Sequence, residues 1–101
     1  MATLFKAVRD DFRSAHGFLY APGTSPKCED WDAKPECGRG LHFCAHPIAA
    51  TEFDDQATRF VACPVKLAEI VVHKDANYPH KVKAPRVAGL IYEVNRYGEK
   101  I

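Results

Sequence analysis

Apolar and polar residues alternate in short runs along this chain, and most runs end at a proline, glycine or charged pair. TLFKAV, residues 3–8, alternates with period two and predicts a first strand. GFLY, residues 17–20, predicts a second, stopped by Ala21, Pro22 and Gly23. A long loop is expected over residues 21–40. Between 22 and 39 it carries three prolines, two glycines and many charges, with Trp31 as its one large apolar residue. Loops of that length in a small domain usually serve a purpose, and Trp31 is expected to pin this one to the body.

LHFCA, residues 41–45, predicts a third strand. His46 and Pro47 then predict the start of a helix, because a proline at the first helical position forfeits no hydrogen bond. Ala49, Ala50, Phe53 and Ala57 fall at helical spacing and suggest about three turns lying close against a sheet. Residues 60–65 and 68–73 are rich in valine and isoleucine and predict further strands, with Pro64 marking an edge, a bulge or a break. Residues 75–79 read as a turn. The last segment is open to two readings. Val87, Leu90, Ile91 and Val94 suit a helix, whereas Ala88, Leu90, Tyr92 and Val94 suit one face of a strand. These elements predict an α+β fold, a small antiparallel or mixed sheet with one main helix packed on it.

Length and charge narrow the classes. At 101 residues the chain is expected to form a single domain, 1–101, with a core that needs no metal or disulfide to fold. Fourteen basic residues against thirteen acidic give a net charge of +1. No basic run or acidic tail is present, so nothing indicates direct binding to nucleic acid or to an anionic membrane. The opening MATLFKAVRDDF has no apolar stretch of signal-peptide length, and no run is long enough to span a bilayer. The expected location is the cytoplasm, where Cys28, Cys37, Cys44 and Cys63 stay reduced or ligate metal.

The densest chemistry lies in CGRGLHFCAHP, residues 37–47. If residues 41–45 are extended, Leu41, Phe43 and Ala45 share one face while His42 and Cys44 share the other. Cys37, just before the strand, together with Cys28 and that pair makes a mixed ligand set, Cys37, His42, Cys44 and Cys28, of the kind zinc accepts. The gaps of eight and six residues between the cysteines are not those of paired zinc knuckles. The expectation is therefore no cofactor, with zinc as the alternative. A catalytic Cys44 with His42 as base lacks a third group to orient the base. No glycine loop followed by lysine cradles a phosphate.

Residues 37–44, read as C-x-x-G-[LF]-H-x-C, resemble the signature of an uncharacterised small-domain family of bacteriophage and actinobacterial proteins. LFKAV and Gly17-Phe18 before the signature, and residues 59–65 and 82–94 after it, are similar to that family's flanking strands. The resemblance decides the terminal segment in favour of strand. It carries no activity; it implies an accessory protein of a phage or mobile element. A more distant likeness is to the ADP-ribosyltransferase fold, where a strand similar to residues 40–44 runs into a helix of small residues. Against it, LFKAV lacks the His-Gly of the nicotinamide site, Phe53 stands where a tyrosine is wanted, and no glutamate is clearly placed as the catalytic one, Glu69 and Glu93 being the candidates named for it.

The residues point away from an enzyme, because none supplies a nucleophile with its base and orienting group. The expected function is a non-catalytic binding module acting on a host protein or ribonucleoprotein complex, for example by inhibiting a defence or regulatory assembly. Trp31, Tyr20, Arg39 and His42 are the candidate contact residues, with Trp31 as the aromatic anchor. The alternatives are an ADP-ribosyltransferase-like NAD-binding enzyme and a zinc-stabilised interaction module.

Overall fold

In this computed structural model the chain runs β1 (Ala2–Val8), β2 (Leu41–Cys44), a helical turn α1 (Pro47–Ala50), β3 (Arg59–Val65), a 3-10 turn (Leu67–Glu69), β4 (Val71–Val72), β5 (Lys81–Ala84) and β6 (Tyr92–Val94). The structure describes residues 1–33, 40–50, 55–72 and 81–101. The strands form one sheet in the order β4-β5-β2-β1-β3-β6, and every neighbouring pair is antiparallel. The outer edge of β6 is met by the chain's own end, where Val94 bridges Lys100 and the Ile101 amide donates to the Glu93 carbonyl.

Period-two alternation sorts the strands into two faces. One carries Leu4, Val8, Leu41, Phe43, Val61, Cys63, Val65 and Ala84, and these form the main core with Tyr20, Val87 and Ile91. The other buries a much smaller group, Ala7, Cys44 and Ala50, with Ala57 and Phe60 packed beside it. Leu41 and Phe43 thus fall on one face and Cys44 on the other, as the alternation of LHFC requires.

Among the described residues no main helix covers this sheet, and the α+β expectation is corrected to a fold that is nearly all antiparallel sheet. Among the described residues no helix reaches seven residues, and Asp55 and Gln56 already form a turn before β3. The helical spacing was built largely from alanines, whose methyl groups offer little area to bury, so it gave no strong drive for a long amphipathic helix. Phe53 lies outside the described residues, and Ala57 joins the small cluster from the irregular segment before β3.

Irregular chain covers the large face instead. Residues 23–28 run against residues 85–91, exchanging hydrogen bonds from Gly23 N–H to the Ile91 carbonyl, Ile91 N–H to Thr24, Val87 N–H to Pro26 and Cys28 N–H to Pro85. Ser25 Oγ also donates to the Gly89 carbonyl at 2.6 Å. This ribbon supplies Val87 and Ile91 to the core, each only 2% exposed. Much of the expected loop is therefore tied down by backbone pairing, which composition does not reveal.

Three local readings also change. GFLY is not a strand: Leu19 makes a single bridge to Arg13, and residues 14–18 form a turn closed by Gly17 N–H to Ser14 and Ser14 N–H to Phe18. Its φ of +88° is a conformation that glycine adopts without penalty. Residues 68–73 divide into the 3-10 turn and the two-residue β4, with His73 outside the described residues, as is the turn expected over 75–79. Near the C-terminus, Tyr92–Val94 is strand and the residues before it belong to the ribbon, so the helical alternative is not adopted. No helix among the described residues is long and apolar enough to cross a membrane.

Candidate functional site

β1 pairs with β3 along its whole length, but with β2 at one position only, Phe5 opposite Cys44. Beyond that contact β2 keeps its ladder with β5 and leaves β1. A cleft of about 280 Å³ opens there, lined by Lys6 of β1, by Gly40, Leu41 and His42 at the start of β2, and by residues of the 14–20 and 28–30 segments. It is the place where the sheet parts.

The turn at 14–18 delivers its aromatic residues to this cleft. Phe12, just before it, has φ +63°, an uncommon conformation for a bulky side chain. Neighbouring interactions hold it there: its N–H donates to the Arg9 carbonyl, its own carbonyl accepts from Tyr20 N–H, and the Arg59 guanidinium lies 5.1 Å from its ring centroid. Arg59 Nη1 in turn donates to Glu93 Oε2 at 3.0 Å. Tyr20 is thereby placed in the floor, 2% exposed. Its ring lies 5.1 Å from that of Phe18 and meets Phe43 edge-on at 6.2 Å. Phe18 remains 36% exposed at the mouth. The Lys6 ammonium lies over the Tyr20 ring, 5.3 Å from its centroid, within cation–π range.

Cys28, Glu29 and Asp30 form the opposite rim. The Cys28 thiol donates to Asp30 Oδ1 at 3.0 Å. Desolvation, that hydrogen bond and the nearby carboxylates of Asp30 and Glu29 all push its pKa up, so the thiol is held protonated and is a poor nucleophile. Burial likewise raises the Tyr20 hydroxyl pKa, with Cys63 and Cys28 adding to the effect. It pushes the Cys63 thiol up to about 12, against a smaller lowering by Lys6. None of these groups is poised to give or take a proton near neutrality.

Of the residues singled out in the sequence, Tyr20, His42 and Cys28 meet at the cleft. Trp31 lies beside it, half-buried: a Cβ added at Gly40 would fall 2.9 Å from its Cζ3 and 3.1 Å from Lys83 Cδ. Glycine at position 40 thus lets the indole close over the start of β2, with the fully buried Lys83 ammonium 5.3 Å from the ring. Arg39 and Cys37 lie outside the described residues. Cys44 is buried in the small cluster on the other face of the sheet from the core that Cys28 packs against, so the structure does not bring these two proposed ligands together. Among the described residues no group of three or more histidine, cysteine or acidic side chains is placed to hold a metal ion. Glu69 and Glu93 are engaged with Arg86 and Arg59 at 3.1 and 3.0 Å, away from the cleft.

Lys6, Ser14, His16, Phe18, Glu29 and Asp30 were not singled out by sequence. They are polar or aromatic residues in segments whose convergence depends on the turn at 14–18 and on the ribbon. Only Ser14 and Gly17, as turn formers, gave a local signal.

No curated protein and no solved structure matches the chain. One family model does, over residues 2–97, and the chain belongs to that family, a domain of unknown function (DUF7666).

Proposed function

We propose that this domain is a non-catalytic binding module that engages a host protein or ribonucleoprotein through the cleft between β1 and β2. The observation that carries the reading is the pairing of an exposed aromatic ring, Phe18, with a rigid buried one, Tyr20, beside a thiol held in its protonated form. Such a surface suits contact: aromatic anchors dominate interface energies, and no group here is primed for turnover. Trp31 serves the same surface by packing on Gly40 and fixing the start of β2. The phage or mobile-element origin belongs to this proposal and rests on the signature of residues 37–44.

Phe18→Ala is expected to weaken partner binding by more than about 1 kcal/mol without lowering the melting temperature. Affinity capture from host lysate, followed by a binding titration of the recovered partner with both proteins, measures it. Equal affinity for the two would remove the cleft from the function.

One observation favours the rival NAD-dependent transferase reading: Tyr20, His42 and Glu29 line the same cleft. The volume of about 280 Å³ falls below the roughly 300–1,000 Å³ that encloses a drug-sized ligand. Calorimetric titration with NAD is expected to be flat, and a saturable heat would reinstate the enzyme.

A further inference from the structure

We propose that the cleft receives a basic side chain, an arginine, from a partner protein; this rests on the cleft being the binding surface. Two exposed carboxylates stand on its rim, Glu29 and Asp30, and among the described residues no cation is paired with them. Glu29 makes no ion pair or hydrogen bond among the described residues, and Asp30 accepts only the Cys28 thiol. The ammonium that also lines the cleft, Lys6, is already placed over the Tyr20 ring. The remaining titratable groups there are His16 and His42.

The Phe18 ring is left partly exposed at the mouth. A guanidinium suits this arrangement better than an ammonium or an anion. It is planar, stacks on an aromatic face, and forks two hydrogen bonds toward a carboxylate. The cleft, about 280 Å³, has room for a long side chain. Specificity for a basic segment would come from the Glu29 and Asp30 carboxylates of the rim, and the apolar stem of the arginine would lie along the rings.

The test is a nitrogen-15 NMR titration of the full chain with the acetylated peptide amide glycyl-arginyl-glycine, beside its glutamyl counterpart. The arginyl peptide is expected to shift the Phe18, Glu29, Gly40 and Leu41 amides. Its affinity should fall about tenfold between low and high salt, because the rim charges are exposed to screening. The double variant Glu29→Gln/Asp30→Asn should abolish these shifts while its spectrum stays folded. Equal or stronger shifts with the glutamyl peptide, or arginyl shifts that survive the double variant, overturn the inference.

A further arm separates this from failure of the cleft itself. If neither peptide binds but partner affinity still depends on Phe18, the basic-side-chain inference falls and the cleft stands. If partner affinity ignores Phe18, both fall.

Discussion

Phe43→Ala is expected to destabilise the fold by about 3–5 kcal/mol, the cost of removing a large ring from a closed core. Phe43 is 1% exposed and belongs to β2, packed in the main core with Leu41 and edge-on to Tyr20. The cavity would open under Tyr20, on the side of the cleft floor that has no other described aromatic support. Collapse is restricted because β2 is held in register by β5 along all four residues. Since a domain of this size is stable by only about 5–15 kcal/mol, the loss consumes a large share of the total. Urea denaturation measures it as a lower midpoint at unchanged slope. Phe43→Leu, which retains more of the volume, is expected to lose distinctly less. A midpoint for Phe43→Ala close to wild type would show that the core under the cleft rearranges freely.

Alkaline pH is expected to unfold the protein through Cys63 and Tyr20. The folded Cys63 pKa is raised from 9.0 to about 12 by burial, and that of Tyr20 is raised above its ordinary 10.0. Above pH 9 the unfolded chain therefore releases a thiol proton that the folded chain retains. Stability is fully present below pH 9 and declines as pH rises toward 12. The slope is about 1.4 kcal/mol per pH unit for each such group, so Cys63 alone accounts for a loss on the order of 4 kcal/mol across that window.

Denaturant titrations from pH 7 to 11 measure the decline. Cys63→Val removes the buried thiol and should make the decline between pH 9 and 10 shallower, leaving the contribution of Cys28, before Tyr20 contributes. An equally steep decline in that variant would assign the alkaline sensitivity to other groups.

Phe43, Cys63 and Tyr20 belong to one core, built where β2, β3 and the 14–20 segment converge, and that convergence was only partly legible. The strand faces were readable because alternation is a local property. Once LHFC is extended, Leu41 and Phe43 must oppose His42 and Cys44, whatever lies above the sheet. The helix was misread because alanine spacing around Pro47 fits a helical period without supplying the area that would make a helix worth forming. Lysine is seldom fully buried, yet Lys83 is, with its ammonium near Trp31.

The site shows the same division. Tyr20, His42, Cys28 and Trp31 stood out as residue types, and the structure gathers them around the start of β2. Glu29 and Asp30, which set the sign of the rim, looked like ordinary loop charges. By itself the sequence determined the alternation of the strands around residues 3–8, 41–44 and 60–65, carried by short stretches of neighbouring residues. Only the tertiary structure decided that β1 and β2 are bridged at Phe5 and Cys44 while β2 follows β5, that residues 23–28 lie against 85–91, and that a cleft opens beside the start of β2. Those contacts join segments tens of residues apart, and their energy depends on what each segment finds to bury against, which no local period encodes.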